Sequence, residues 1–127
     1  DNAMVLNNYA YFLSLEGRDL ERALAMAGRA IVLEENNPTY LDTYAWVLYR
    51  LGRYDEAKKT MQQALSLDRS QSPDLQLHYG DILAALGEKF MAEVYWKKAL
   101  EGGYVDPDAI VERFRRLKEA AQTPAAP

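Results

Sequence analysis

The only histidine of the chain, His78, is the side chain that comes nearest to metal or acid/base chemistry. On a helix it would share a face with Asp74, four residues earlier, or with Asp81, three residues later. A third ligand is missing, and one imidazole beside carboxylates is a weak zinc signal. We therefore expect His78 to lie in a groove or at an interface, and we predict no metal ion and no cofactor.

Paired carboxylates are the second pattern that could perform acid/base chemistry. They occur as Glu34 with Glu35 and as Asp55 with Glu56. Both pairs fall at the ends of expected helices, where carboxylates serve solvation or the helix dipole better than catalysis in a dry pocket. The lack of cysteine in the sequence removes thiolate catalysis as well. We predict no catalytic residue and do not expect an enzyme.

The composition is that of a folded protein with an acidic surface. The 127 residues are 49% hydrophobic and 27% charged, which provides enough apolar material for a core. Apolar residues never run long enough to span a membrane, and no signal peptide is recognised. Nineteen acidic and 15 basic residues leave a net charge of -4, which argues against nucleic acid or an anionic membrane as the main partner.

A repeat with a period of about 35 residues organises the sequence. Gly17, Gly52 and Gly87 follow one another at this spacing. Tyrosine, leucine and alanine series run in register with the glycines, which is hard to obtain by chance. Their positions are Tyr9, Tyr44 and Tyr79; Leu13, Leu48 and Leu83; Ala23, Ala57 and Ala92; and Ala30, Ala64 and Ala99.

Each unit has the pattern of two amphipathic helices joined at its glycine. In the middle unit Leu41, Tyr44, Ala45 and Leu48 lie at i, i+3, i+4 and i+7, which is one face of a helix. Gly52 can then adopt the positive φ that ends a helix. The sequence predicts helices near 3–16, 20–34, 39–51, 54–68, 74–86 and 89–101.

Small residues at fixed positions should let the paired helices approach closely, because larger side chains would wedge the axes apart. They are Ala10, Ala45 and Gly80 on the first helices, and Ala23, Ala57 and Ala92 on the second helices.

A seventh helix is expected after the last hairpin. Asp106 can cap it, Pro107 suits its first position, and Ile110 begins its apolar stripe. We expect this helix to cover the last hairpin. Its water-facing side chains should be Glu112, Arg113, Arg116 and Lys118, and segment 123–127 should be a disordered tail.

These features resemble the tetratricopeptide repeat, a helix-turn-helix unit with Leu, Gly and Tyr at fixed offsets in its first helix and Ala in its second. The resemblance covers residues 3–104. In the first unit Tyr9 occupies the Leu position, Ala10 the Gly position and Leu13 the Tyr position. The unit departs from the pattern at its end, because the prolines lie instead at 38, 73 and 107.

The resemblance implies an all-α, right-handed α-solenoid of three helix-turn-helix repeats plus a C-terminal capping helix. The repeats would span 3–36, 37–71 and 72–104, and the capping helix 105–122. First helices of such a stack line a concave groove that holds a peptide or helix of a partner protein, and no catalysis is implied. The stretch 41–57 resembles bacterial members, many of them large envelope lipoproteins, so the cell envelope or periplasm is favoured over the cytoplasm.

Groove positions are those of the first helices that lie off the core stripe. Tyr11 and Trp46 are equivalent positions and either anchor a partner side chain or pack between hairpins. Asp42 and Asp81 would place acids beside these rings, which favours a basic partner segment and argues against a chaperone-type carboxylate clamp. The predicted groove residues are Asn7, Tyr11, Asp42, Trp46, Tyr49, Arg50, His78 and Asp81.

Two alternatives to a protein-binding scaffold remain open. Met4, Val5 and Leu6 begin the first hairpin without cover, which indicates the C-terminal part of a longer array and an edge that could pair with a second copy. The 35-residue period is also that of RNA-reading pentatricopeptide arrays, although the acidic balance disfavours them.

Overall fold

The computed structural model describes residues 2–122, and within this range the chain forms seven α-helices and no strand. The observed helix ends agree with the six expected ranges to within one residue, so the all-α class is confirmed. The expected disordered tail, 123–127, lies outside the described residues. The helices are α1 (Ala3–Glu16), α2 (Leu20–Leu33), α3 (Pro38–Arg50), α4 (Tyr54–Leu67), α5 (Pro73–Ala85), α6 (Lys89–Glu101) and α7 (Pro107–Gln122).

Glycine ends the first helix of each hairpin, as the period predicts. Gly17, Gly52 and Gly87 have φ of 69°, 81° and 81°, a left-handed conformation in which a β-carbon would be strained. In the middle hairpin the N–H of Arg53 donates to the carbonyl of Leu48 at 2.9 Å. This bond closes a Schellman motif and turns the chain into α4.

Asparagine caps the first helix of each of the first two hairpins. Asn2 Oδ1 accepts a hydrogen bond from the N–H of Val5 at 3.2 Å, and Asn37 Oδ1 accepts one from the N–H of Tyr40 at 3.2 Å. These side chains satisfy amide donors that a helix start leaves free. Pro38 follows Asn37 as the first residue of α3, where its fixed φ fits and its missing N–H costs nothing.

The chain packs into two compact units, Asp1–Gln71 and Ser72–Pro127, which divide where the second and third predicted repeats meet. In the first unit α2 packs against both α1 and α3, and α3 packs against α4. One core cluster contains Ala10, Leu13, Ala23, Ala27 and Val47, and another contains Ala3, Ala30 and Tyr40.

In the second unit α5 packs against α6, and α6 packs against α7. Gly80 makes the first of these contacts possible, because a β-carbon there would lie 2.4 Å from Cδ1 of Trp96 and 3.2 Å from the carbonyl oxygen of Ala92. Ile110 of α7 is fully buried, as its apolar stripe predicts. Asp106 caps α7 by accepting from the N–H of Ala109 at 3.3 Å.

The other small residues predicted at helix contacts are fully buried, as positions between packed helices require. Among the described helices, none is long and apolar enough to cross a membrane. The buried alanines are Ala10, Ala23, Ala45, Ala57 and Ala92.

Candidate peptide-binding surface

Asn7 on α1 and Asp42 on α3 occupy the same position in their repeats, and both are buried, with 5% and 6% exposure. The Nδ2 of Asn7 donates to Oδ1 of Asn8 at 3.4 Å, which is a long hydrogen bond. Its Oδ1 is buried and accepts no hydrogen bond. An unsatisfied buried acceptor costs on the order of 1–3 kcal/mol, so Asn7 is a position where the packing of α1 carries an unfavourable contribution.

Aromatic side chains are the largest of the predicted groove residues. The ring of Trp46 stacks on that of Tyr49 with centroids 4.6 Å apart and planes 17° from parallel. Tyr49 also meets Tyr54 of α4 at 5.6 Å. Trp46 itself is 9% exposed, whereas Tyr49 and Tyr11 are half-buried. The accessible part of this cluster is therefore the tyrosine rather than the tryptophan.

Arg50 is the last residue of α3 and is exposed, and its side chain reaches the carboxyl end of α1. Its Nη2 is 2.8 Å from the place where a β-carbon of Gly17 would stand. The carboxyl end of a helix carries partial negative charge, so a guanidinium is favourable there. Arg50 thus sits at the turn between α1 and α2, which is the border of the predicted surface.

Asp81 is the predicted groove residue whose role the structure defines most fully. Its Oδ1 accepts from Nε1 of Trp96 at 2.9 Å and from Nε of Arg113 at 2.7 Å, and its Oδ2 accepts from Nη2 of Arg113 at 2.8 Å. With 8% exposure, it joins α5 to α6 and α7. Such a paired, hydrogen-bonded carboxylate is the form in which a buried charge is tolerated.

This arrangement corrects the expectation that Arg113 faces water. Its side chain is 29% exposed, and the guanidinium turns to Asp81 and also donates to the carbonyl of Ala109 at 3.0 Å. His78, three residues before Asp81, is buried with 7% exposure. Residues 2–122 contain no group of three or more histidine and acidic side chains placed to hold a metal ion.

Shifted pKa values occur outside the predicted surface. On α7 the pKa of Glu112 falls to about 2, mainly because Arg115 hydrogen-bonds to its carboxylate, and the pKa of Arg115 rises for the same reason. On α4 the pKa of Glu56 is lowered by its hydrogen bonds from Arg53. The pKa of Tyr40 is raised, first by burial and then by Glu34. These shifts belong to helix surfaces and hairpin contacts, and they do not indicate an acid/base centre.

Two recesses were not anticipated from the sequence, and neither includes a predicted groove residue. One, of about 280 Å³, lies in the first unit between α2, α3 and α4. The other, of about 480 Å³, lies between α6 and α7 and is mostly apolar. Phe90 was the sequence signal for the second recess. It lies outside the apolar stripe with which α6 packs in the hairpin core, and its side chain is exposed. The lining of this recess is Lys89, Phe90, Glu93, Phe114, Leu117, Lys118 and Ala121.

Comparison with known families identifies the second hairpin. The tetratricopeptide repeat model matches residues 38–70, which contain α3 and α4. The chain is also 31% identical over 81 residues to the TPR repeat-containing protein PA4667 of Pseudomonas aeruginosa. The second hairpin is therefore a tetratricopeptide repeat, and the chain is similar to tetratricopeptide-repeat proteins. The match covers 64% of this chain but only 13% of that bacterial relative's length.

Solved structures of other proteins share the fold. The first TPR of Spaghetti (RPAP3), bound to the HSP90 peptide SRMEEVD, has a TM-score of 0.79 and 19% identity over 95% of this chain and 94% of its own. The type III secretion translocator chaperone SycD of Yersinia enterocolitica has a TM-score of 0.77 and 19% identity over 97% and 96%. Tetratricopeptide-repeat domains are protein-protein interaction modules, and the fold is typically non-catalytic.

Proposed function

We propose that this chain is a non-catalytic scaffold module that binds a peptide or helix of a partner protein through the surface formed by α1 and α3. The observation that carries the proposal is the stacked pair of Trp46 and Tyr49, which presents a half-buried tyrosine on a rigid aromatic base. Tyrosine in such a setting offers a large apolar face and a polar tip at little entropic cost, as binding hot spots do.

The chemistry beside the rings favours a basic partner segment. Asp42 provides a carboxylate on α3, at the position that Asn7 occupies on α1. Lysine and arginine side chains supply donors, positive charge and a contact with aromatic faces. Arg50 lies at the border of this surface, so we expect it to repel a second cation there. The basic residue of the partner should therefore lie closer to Asn7 than to the α1–α2 turn.

Asp81 is not offered as a contact for the partner. Its oxygens already hold Trp96 and Arg113, so reversing its charge would disturb the contact between α5, α6 and α7. A charge test of the binding surface should therefore change Asp42 alone, and it should leave the second unit intact.

Binding can be measured by fluorescence anisotropy with two labelled peptides. The first is SRMEEVD, which the RPAP3 neighbour binds, and the second is SRMKKVK with an amidated end. We expect the basic peptide to bind several-fold more tightly than the acidic one at low salt, with the preference shrinking as ionic strength rises. Tighter binding of SRMEEVD would contradict the proposed basic specificity.

Two substitutions locate the site. Tyr49→Ala should weaken binding of the basic peptide by about tenfold or more, as loss of a hot-spot ring does. Asp42→Asn should reduce the preference for that peptide over SRMEEVD. Phe90→Ala is the matched control, since it removes an exposed ring from α6 and should leave affinity unchanged. Equal losses for Tyr49→Ala and Phe90→Ala would show that the surface is not on α1 and α3.

A further inference from the structure

The recess between α6 and α7 has the size and lining of a small-molecule site. Its volume of about 480 Å³ falls within the range of ligand pockets, and its surface is mostly apolar. Both helices belong to the second compact unit, whereas α1 and α3 belong to the first. The recess therefore shares no residue with the surface proposed above to bind a partner protein.

The floor of the recess is held in place from behind. Phe114 of α7 is half-buried and meets the ring of Trp96 edge to face, with centroids 5.7 Å apart. Trp96 is itself fixed by its hydrogen bond to Asp81 at 2.9 Å. A floor that is already ordered loses little conformational freedom when a ligand arrives, so binding is opposed by a smaller entropy cost.

Phe90 of α6 forms an exposed wall of the recess, with 76% exposure. The equivalent positions of α2 and α4 hold Glu21 and Asp55, acids that complement the helix dipole in the first turn. The first turn of α6 contains no acid. An aromatic ring that replaces a helix-stabilising acid and adjoins half-buried apolar side chains is the pattern of an interaction site.

Two lysines lie at one end of this apolar recess. Lys89 precedes Trp96 by about two turns of α6, and Lys118 follows Phe114 by about one turn of α7. Because Trp96 and Phe114 are in contact, both lysines lie on the side away from that contact. In the part of the chain that the structure describes, neither lysine makes a hydrogen bond or an ion pair. Glu93, the one acid of the lining, lies about one turn closer to Trp96 than Lys89 does.

We propose that this recess binds a free fatty acid anion of medium chain length, with the carboxylate between Lys89 and Lys118 and the alkyl chain over Phe114. The recess extends along α7 from Phe114 to Ala121, a distance of about 10 Å at the rise of an α-helix. The extended chain of decanoate has a similar length. Glu93 repels a carboxylate from the opposite end, so the charges of the lining also set the direction of the chain.

An alkyl chain suits walls that are made of helices. The backbone N–H and C=O groups of α6 and α7 are bonded within each helix, so the walls offer no backbone partners. An extended peptide would bury its own amide groups there without hydrogen bonds, which is costly, whereas an alkyl chain has none to bury. A helical segment satisfies its own backbone and is the alternative occupant that an experiment has to separate.

Binding can be measured by titrating the chain with decanoate below its micelle concentration and following amide shifts in ¹H–¹⁵N NMR spectra. We expect a Kd of about 1 mM or below, with the largest shifts in α6 and α7. Octanoate should bind about four- to sixteenfold more weakly, since each buried methylene contributes about two- to fourfold. Decyltrimethylammonium has the same chain length and the opposite charge, and it should bind about tenfold more weakly than decanoate.

Substitutions of exposed side chains locate the site without disturbing the core. Lys89→Gln combined with Lys118→Gln should weaken decanoate binding by about fivefold and remove most of its preference over decyltrimethylammonium. Phe90→Ala should weaken binding of both chains by about threefold. Lys97→Gln is the matched control, since it removes an exposed charge of α6 that does not line the recess, and it should leave the Kd unchanged. Circular dichroism checks that each variant keeps its helix content.

Three results would overturn the proposal. One is a decanoate titration that leaves the amides of α6 and α7 unshifted. Another is a folded double lysine variant that binds decanoate as tightly as the natural chain does. The third is binding of a helical peptide of leucine and glutamate in the recess while decanoate does not bind, because this would make a protein helix the occupant.

Discussion

The second and third hairpins place different residues at the same backbone positions, and their cores differ accordingly. In the second, Ala45 of α3 and Met61 of α4 are both fully buried. In the third the equivalent residues are Gly80 and Trp96, and the ring occupies the space that a β-carbon would need. A larger residue on one helix is thus balanced by the smallest one on its partner, as dense packing requires.

The residue that follows Ala45 or Gly80 also differs between the two hairpins. Trp46 stacks on a tyrosine of its own helix, whereas its counterpart Asp81 binds the Trp96 indole and Arg113. In the third hairpin the tryptophan lies on the second helix instead of the first, and a carboxylate accepts the hydrogen bond from its indole N–H. The comparison teaches that one position can serve a surface cluster in one repeat and hold a closing helix in another.

The largest expected effect comes from giving the third hairpin a residue of the second hairpin at one equivalent position. Gly80→Ala should lower the free energy of unfolding by about 3 kcal/mol, because the new methyl group displaces Trp96 from the hydrogen bond to Asp81. Urea unfolding followed by circular dichroism measures the change.

The double variant Gly80→Ala with Trp96→Met installs the pair found in the second hairpin. It should lose less stability than the sum of the two single variants, since the Met side chain leaves room for the methyl group. Strict additivity would mean that the two positions do not share one space.

A smaller loss is expected at the link to α7. Asp81→Asn keeps the shape of the side chain but removes the charge that pairs with Arg113, and it should cost about 2 kcal/mol. Hydrogen exchange should accelerate in α7 more than in α3 and α4. Arg116→Gln, which removes a guanidinium that is paired with Glu112 on the α7 surface, is the control and should change exchange little. Uniform acceleration over the whole chain would contradict a local link.

The smallest effect should come from the exposed ion pairs of α7. The pKa of Glu112 is lowered to about 2 from an ordinary 4.5, so its pairing with Arg115 favours the folded state above about pH 4.5. This contribution should decline as the pH falls from 4.5 toward 2. The melting temperature of Glu112→Gln should therefore lie slightly below that of the natural chain at pH 7 and equal it near pH 2. A difference that grows on acidification would be the wrong sign.

Much of the fold could be predicted because it depends on local, periodic signals. The 35-residue spacing of Gly17, Gly52 and Gly87 locates the turns, and Pro38 locates a helix start, because each acts through the φ angle of its own residue. These requirements involve no distant partner. The observed ends of α1 to α6 consequently differ from the expected ones by no more than one residue.

The candidate surface was less predictable, since it depends on side chains that meet from separate helices. Periodicity groups Asp81 with Tyr11 and Trp46, but nothing periodic links it to Arg113, which lies 32 residues away on a helix outside the repeat. The coincidence of Gly80 with Trp96, where the second hairpin has Ala45 and Met61, was a usable signal for a specialised contact. Burial of Asn7 and Asp42 likewise follows from tertiary packing.

The glycine turns differ in what surrounds them, and this has a practical consequence. A β-carbon at Gly52 or Gly87 would have no atom within 4 Å, whereas at Gly17 it would meet Arg50. Extra residues inserted beside Gly52 or Gly87 would extend into open solvent, and short flexible insertions of this kind are inexpensive. An epitope tag or a fluorophore attachment sequence could therefore be engineered at either tip, while the one at Gly17 should be left alone.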